Sequence, residues 1–312
     1  MSIVEVNSRM KIADLVNRDF QVLGMLDRMG IKDNFGDHTV EEICSRHGMD
    51  PDTFIMLYNI YLDSKFKPSE KSLREGHIED VIKYLRLSHD YYLNIALNSL
   101  SDSLSGLLAP CSEKQKSVFW KFYSEYKDEL NRHFDFEETQ VMPYVDSLLR
   151  GDRDPDFSID SFDDEHNSIN EKISDLKNLV MKSLPDECDG SLRMQTLYLI
   201  CTLEYDLKRH TSVEDDVMVP MVRLLEKRTD RSGRVTAGKD AEKEELSERE
   251  KEILVSVAKG MLNKEIADRY NISIYTVISH RKNITRKIGI KTVAGLTVYA
   301  LLNGLLDINS IE

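Results

Sequence analysis

The central part of the chain places apolar residues at steps of three and four, which is the spacing of an amphipathic helix. Four such stripes follow one another, on residues 78–100, 119–148, 159–180 and 200–225. The connections between them are short, around residues 105–112, 151–156 and 184–190. Short connections place consecutive helices side by side and antiparallel. The pattern therefore predicts an up-down-up-down four-helix bundle.

Helical patterns also occur on both sides of the predicted bundle. Residues 1–66 contain shorter helical stretches that glycine and proline interrupt, with too few apolar residues for a large core of their own. Residues 227–245 are rich in charge and poor in apolar residues, which is typical of a flexible linker. We therefore predict an all-α chain with three domains, at residues 1–66, 77–226 and 246–312, of which the last two are joined by the linker at residues 227–245.

The apolar stripes of the bundle contain histidine and glutamate residues in a duplicated pattern. His89 and His133 are 44 residues apart, and so are His166 and His210. A glutamate follows the second histidine of each pair by four residues, so both side chains project from one helix face. His89, His133 and Glu137 recur 77 residues later as His166, His210 and Glu214. We expect all six side chains to point into the bundle.

Six buried imidazoles and carboxylates need a common partner. Burying a polar group without a partner to replace its water costs roughly 2–7 kcal/mol of free energy even when the group is neutral. A single histidine on an apolar stripe is more often a hydrogen-bonded core residue than a ligand. Six residues in register across a repeat favour a dinuclear metal site instead. Nitrogen and oxygen donors without sulfur suit iron or manganese, with zinc as an alternative.

Composition and charge restrict the classes of partner. The chain carries a net charge of −13, but residues 246–312 contain ten Lys or Arg and seven Asp or Glu, so the remaining residues carry −16. Only the C-terminal part is therefore expected to meet nucleic acid. The four cysteines show no C-x-x-C spacing, which argues against a disulfide framework or a thiolate zinc site. Without a signal-peptide pattern or a long apolar run, the predicted location is cytoplasmic, with no membrane partner.

The C-terminal residues show the start signals of three consecutive helices. Ser247 and Glu250 form a capping-box pattern, Asn263 is a candidate cap for a second helix, and Ser273 for a third. Five basic residues and no acid occur between Arg281 and Lys291. This arrangement predicts a helix-turn-helix whose third helix enters the DNA major groove. By charge alone, a solvated basic face is an equally good interpretation.

The ligand pattern resembles the hemerythrin-like superfamily, and residues 8–226 are most similar to the di-iron proteins that repair iron-sulfur clusters. That resemblance implies two iron ions bound by the six residues, with Glu137 and Glu214 bridging them. It also includes the N-terminal pattern Lys11-Ile-Ala-Asp-Leu, Gly30-Ile31 and Thr39-Val-Glu-Glu-Ile-Cys44. The repair family has an adjacent cysteine pair after the Gly-Ile, whereas this chain has Asn34-Phe35. A docking or dimerisation role is therefore expected for residues 1–66.

Residues 246–307 resemble the DNA-binding domain of LuxR-type regulators. The resemblance rests on Leu246-Ser-Glu-Arg-Glu, Asn263-Lys-Glu-Ile-Ala267 and the pattern from Ile272 to Ile288. It implies that Ile278, Ser279 and Lys282 approach bases, and that Thr276, His280 and Lys287 lie near phosphates. Ile278 and Val293 stand where the family often has lysine and arginine. The last helix of the family pairs two domains on double-stranded DNA, so a homodimer is expected.

Together these patterns favour a DNA-binding transcription regulator, and not an enzyme, whose di-iron domain senses oxygen, nitric oxide, redox state or iron supply. The first alternative is an iron-handling or cluster-repair protein with an accessory DNA-binding module. A second alternative is a metal that only stabilises the bundle.

Overall fold

The computed structural model describes residues 6–154, 157–161, 166–234, 246–290 and 292–306. Within these ranges all regular elements are helices, and the only strand-like feature is an isolated bridge between Lys11 and Thr39. The predicted all-α class is therefore confirmed. The chain divides into two compact units, residues 1–150 with 164–228 and residues 151–163 with 229–312. None of the described helices combines the length and the apolar character needed to cross a bilayer.

The N-terminal region consists of five short helices, and side-chain caps mark the start of the last three. Thr39 forms a capping box with Glu42, and Asp50 caps the helix that begins at Pro51. The helices are α1 (Ile12–Arg18), α2 (Val22–Arg28), α3 (Val40–His47), α4 (Pro51–Leu62) and α5 (Glu70–Glu75). They belong to the same compact unit as the bundle, because α2 and α4 pack on bundle helices.

Four long helices follow, three of which contain a five-residue π-helical turn. The first comprises α6 (Ile78–Tyr91), the π-turn Tyr92–Ala96 and α7 (Leu97–Leu107). The second comprises α8 (Glu113–Phe136), the π-turn Glu137–Val141 and α9 (Met142–Leu149). The third is α10 (His166–Lys182), and the fourth comprises α11 (Gly190–Val213), the π-turn Glu214–Met218 and α12 (Val219–Arg234).

The third and fourth helices differ from the sequence predictions in their limits. Ile159, where the third apolar stripe is predicted to start, lies in a separate 3₁₀ turn, Ile159–Ser161, and the structure describes α10 from His166. Phe162, which belongs to the same predicted stripe, lies outside the described residues. The fourth helix continues to Arg234 and so includes eight residues of the predicted linker. Residues 235–245 of that linker are outside the described part.

The C-terminal domain is built from α13 (Glu248–Ala258), α14 (Asn263–Tyr270), α15 (Ile274–Ile288) and α16 (Val293–Leu302). The side chains of Ser247, Ser273 and Thr292 cap the first, third and fourth of these helices. Leu262, not Asn263, occupies the cap position of α14. Apolar residues from all four helices form one core, including Ile253, Ile266, Val277, Ile284 and Leu296.

Two buried cysteines lie side by side at one end of the bundle. The sulfur atoms of Cys111 and Cys188 are 3.7 Å apart, which is contact between thiols and not a bond. The two positions are 77 residues apart, so they are equivalent in the duplication. Burial raises the pKa of the Cys111 thiol. Cys44 is also buried, and burial raises its pKa to about 12.

Thiol labelling is therefore expected to separate the cysteines into two groups. Cys201 is exposed and should react rapidly with iodoacetamide in the folded protein. Cys44, Cys111 and Cys188 should react at least about tenfold more slowly, because a buried thiol rarely exposes its thiolate. Peptide mass spectrometry at successive times measures each rate. Equal rates for Cys188 and Cys201 would contradict the packing at this end of the bundle.

Candidate metal centre and nucleic-acid interface

Two helices of the bundle place a histidine and a glutamate one turn apart on the same face. His133 lies in the last turn of α8 and Glu137 begins the following π-turn. His210 and Glu214 occupy the equivalent positions at the end of α11. A π-turn inserts one extra residue into a helix, and such turns occur mainly at functional sites. The helical spacing and the π-turn thus place each carboxylate beside its own histidine.

The donor atoms of the two helix pairs converge in the bundle interior. Nε2 of His89 and of His133 each lie 2.9 Å from a carboxylate oxygen of Glu137. Nε2 of His210 lies 2.8 Å from Oε1 of Glu214 and 3.2 Å from Nε2 of His89. One donor atom from each of His89, Glu137, His210 and Glu214 falls within 4.8 Å of all the others.

These separations fit shared metal coordination. Two ligands that bind one ion at about 2.1 Å and at right angles are about 3.0 Å apart. Two imidazole nitrogens facing each other at 3.2 Å cannot both carry a proton toward the partner, whereas both can donate a lone pair to an ion between them. Neither carboxylate oxygen of Glu137 has a hydrogen bond of acceptable geometry among the described residues. The residues present therefore fit a metal.

The side chains of the candidate centre are buried, and each alters the pKa of its neighbours. His89, His133, Glu137, His210 and Glu214 are each at most 5 % exposed. Burial lowers the pKa of His89, but the carboxylates of Glu137 and Glu138 outweigh that effect and raise it to about 9. Burial and Glu214 raise the pKa of Glu137, and the imidazoles of His133 and His89 outweigh them and hold it below its ordinary value. A bound cation would take the place of the positive charge that the His89 and His133 imidazoles supply to Glu137.

His166 completes the predicted ligand set. It is the first residue of α10, the third bundle helix, but its side chain is outside the described residues. Its participation stays a prediction. The duplication supports it, because His166 follows His89 by 77 residues, as His210 follows His133.

Glu138 orients the His89 ring, and no motif in the sequence indicates this contact. Its Oε1 lies 2.8 Å from Nδ1 of His89, and its Oε2 lies 3.3 Å from the guanidinium of Arg86. An imidazole that donates through Nδ1 presents Nε2 to a metal in a defined orientation. Asp90, which follows His89 in the chain, is exposed and accepts a hydrogen bond from Asn94, so it does not take this role.

Replacing Glu138 with glutamine is expected to weaken metal binding by about 10- to 100-fold, because the amide no longer holds the His89 imidazole as a charged acceptor does. Competition with a coloured chelator measures the affinity. Asp90→Asn is the matched control, since it removes a neighbouring carboxylate that does not contact His89, and it should leave the affinity unchanged. Equal affinities for the two variants would contradict the positioning role of Glu138.

Aromatic residues surround the donors on the side of the first two helices. Phe134 stacks on the His89 ring at 4.3 Å, and Tyr92 meets the His210 ring edge-on at 5.4 Å. Tyr92 is fully buried and packs in the bundle core. A cavity of about 640 Å³, lined by Arg86, Asn131, Phe134 and Glu138 among others, reaches His89 from outside. The cavity therefore borders His89 on the side where Glu138 contacts its ring.

The predicted DNA-contacting residues lie on α15 and near its ends, but they are not equally accessible. Thr276, Ile278, Lys282 and Lys287 are partly buried, whereas Ser279 and His280 are only 4 % exposed. Nζ of Lys287 lies 2.7 Å from the buried Glu250 carboxylate. Burial raises the pKa of Glu250, but the Lys287 ammonium and the Ser247 backbone N–H outweigh it, so that the pKa is lowered. In this structure Lys287 therefore links the end of α15 to the start of α13, and its expected phosphate contact stays a prediction.

Comparisons with known proteins support both domains. The model of the hemerythrin HHE cation binding domain matches residues 80–222, and that of the bacterial regulatory proteins of the luxR family matches residues 244–300. The chain joins a hemerythrin-type domain to a luxR-family domain. The resemblances to these two families are thereby confirmed, while similarity to the cluster-repair proteins in particular stays a prediction.

Similar full-length proteins are also known. The chain is 34% identical over 146 residues to "Oxygen regulatory protein NreC" of Staphylococcus aureus, in strains bovine RF122 / ET3-1 and MRSA252. The same identity over the same length is found for the protein of strain JH9. Each match spans 47% of this chain and 61% of the relative, so less than two thirds of the relative's length is covered.

Proposed function

We propose that this protein is a DNA-binding transcription regulator whose hemerythrin-type domain holds two iron ions and responds to oxygen, nitric oxide or redox state. The observation that carries this proposal is the convergence of buried imidazoles and carboxylates inside a chain that also has a luxR-family domain. Iron is favoured over zinc because the donors are nitrogen and oxygen with two acidic ligands. Bound iron would supply a redox-active centre that can meet a diatomic gas.

Oxygen is the first signal to test. The relatives in Staphylococcus aureus are described as oxygen regulatory proteins. The cavity beside His89 offers a small molecule a route toward the centre. The chain's own residues there act by holding the ligands: Glu138 fixes the His89 ring, and Phe134 covers it.

We also infer that the C-terminal domain pairs with a second copy on DNA. In α16, Leu296 and Ala300 are buried in the domain core, whereas Val298 is 54 % and Leu302 is 82 % exposed. Exposed aliphatic side chains on one helix face favour a self-complementary contact. The two partners would then place two α15 helices on a two-fold DNA site.

Comparison of iron-loaded and chelator-treated protein tests the regulator function. Anaerobically prepared protein is expected to contain two iron ions per chain and to bind promoter-region DNA with an affinity that falls steeply with salt, because Lys and Arg release counterions from phosphates. Iron removal or oxygen exposure should change that affinity, and His133→Ala should abolish the response. Identical DNA binding in all four preparations would contradict sensing, and salt-independent binding would contradict a DNA interface.

A further inference from the structure

Two connections at one end of the bundle have the same construction in both halves of the duplication. In each of them the N–H of a cysteine donates to the carbonyl three residues earlier, at 2.9 Å for Cys111 and 3.2 Å for Cys188. The residue after each cysteine, Ser112 or Asp189, caps a long helix, α8 or α11. A hydrogen-bonded turn and a helix cap therefore fix the backbone on both sides of each cysteine.

The two turns bring the thiols of Cys111 and Cys188 together. Their sulfur atoms are 3.7 Å apart, and a movement of about 1.7 Å would bring them to the bonding distance of a disulfide. The two residues are 5 % and 4 % exposed and pack in the bundle core. A thiol this close to an oxidised sulfur can react with it at once, which prevents further and irreversible oxidation.

The charges around this pair differ from those around Cys44, which is also buried. Burial and the neighbouring Cys188 raise the pKa of the Cys111 thiol, whereas Lys116 and Arg193 act in the opposite direction and favour its thiolate. Burial likewise raises the pKa of Cys44, and two nearby aspartates raise it further. Because the thiolate is the reactive form of cysteine, the surroundings of Cys111 support its reaction and those of Cys44 oppose it.

We propose that Cys111 and Cys188 form a redox modification site, in which a small hydroperoxide, hydrogen peroxide, joins the two sulfur atoms in a reversible disulfide. One thiol gives up its proton, and its thiolate attacks the peroxide, which forms a sulfenic acid and releases hydroxide. The hydroxide takes up that proton and becomes water. The second thiol then attacks the sulfenic sulfur, the S–O bond breaks, and a second water leaves. Two thiols and one peroxide thus give one disulfide and two waters, and two electrons pass from sulfur to the peroxide.

This site is separate from the candidate metal centre. His133 follows Cys111 by 22 residues, and His210 follows Cys188 by the same number, so each histidine lies about 30 Å farther along α8 or α11. The disulfide would join the first helical hairpin of the bundle to the second at the end remote from the metal donors. The inference therefore goes beyond the proposed function, and the reaction does not require iron.

Peptide mass spectrometry of the full-length protein tests the site. The reduced chain is treated with hydrogen peroxide, catalase stops the reaction, and the remaining thiols are blocked with iodoacetamide in denaturant. We expect most chains to contain peptides joined through Cys111 and Cys188, which dithiothreitol separates, while Cys44 stays a thiol. Thiols or sulfinic acids at both positions, once the exposed Cys201 is fully oxidised, would overturn the site. Equal amounts of other cysteine pairings would overturn it as well.

Urea unfolding, followed by the fluorescence of Trp120, provides a second readout. A disulfide between positions 77 residues apart restricts the unfolded chain, so the unfolding equilibrium constant should fall by about 30- to 1000-fold on oxidation. Cys111→Ala and Cys188→Ala should each lose this gain, and Cys201→Ala, the matched control, should keep it. A linked chain that unfolds as readily as the reduced chain would overturn the site, because its sulfur atoms would then be joined only at the cost of strain.

The outcomes for this site and for the proposed function are distinguishable. The mass-spectrometric measurement uses the unmodified chain, so it does not depend on the folding of the alanine variants. Chelator-treated protein should form the disulfide in the same yield as iron-loaded protein, and a disulfide that forms only with iron would overturn the proposed independence. If DNA binding fails to respond to iron while Cys111 and Cys188 still become linked, the sensing function fails and the redox site stands.

Discussion

His133→Ala is expected to lose at least about 100-fold in metal affinity, a larger loss than the 10- to 100-fold typical of residues that only orient ligands. His133 is 5 % exposed and its Nε2 lies 2.9 Å from a carboxylate oxygen of Glu137, so the alanine variant removes a buried nitrogen donor. Because a metal that binds only the folded protein stabilises it by mass action, a 100-fold excess over the dissociation constant contributes about 2.7 kcal/mol. The variant should lack that stabilisation.

The measurement is urea unfolding with and without iron under anaerobic conditions, followed by the fluorescence of Trp120, the single tryptophan, which packs against the bundle core. His77→Ala is the control, since His77 is an exposed histidine outside the centre, next to the start of α6. It should retain the metal-dependent shift of the midpoint. An undiminished shift in His133→Ala would contradict the assignment of this ligand.

Asp206→Ala is expected to lower the free energy of unfolding by about 3–5 kcal/mol, because it leaves the Arg28 guanidinium buried without its counter-charge. The side chains of Arg28 and Asp206 are 3 % and 9 % exposed and form an ion pair between α2 and α11. Nη1 of Arg28 lies 3.1 Å from Oδ1 of Asp206, and the same oxygen accepts a hydrogen bond of 2.9 Å from Tyr61. The pair thus attaches the N-terminal helices to the bundle.

Urea unfolding of the iron-loaded protein measures this loss. The exposed pair of Lys11 and Asp37 provides the control, and Asp37→Ala should change stability by less than about 1 kcal/mol. Arg28→Met combined with Asp206→Leu should recover most of the stability, since it removes both buried charges together. A loss in Asp206→Ala no greater than in Asp37→Ala would show that the pair does not hold the two regions together.

The residues of the candidate metal centre were predictable because their spacing is local. A histidine and a glutamate four residues apart share a helix face in any α-helix, and the 77-residue repeat identifies the equivalent positions in the other half of the chain. The charge difference between the C-terminal region and the rest of the chain likewise indicated which part meets DNA. Glu138 was not predictable in the same way, because its role depends on how α6 and α8 approach each other.

The sequence by itself determined the helical class, the two domain types and the spacing of His89, His133, Glu137, His210 and Glu214. These features follow from the periodicity of a single helix and from motifs within it. Only the tertiary structure decided which donors face one another, that Lys287 pairs with Glu250, and that Ser279 and His280 of α15 are buried. Those properties depend on contacts between residues far apart in the chain, and a helical pattern cannot show which surface another segment will cover.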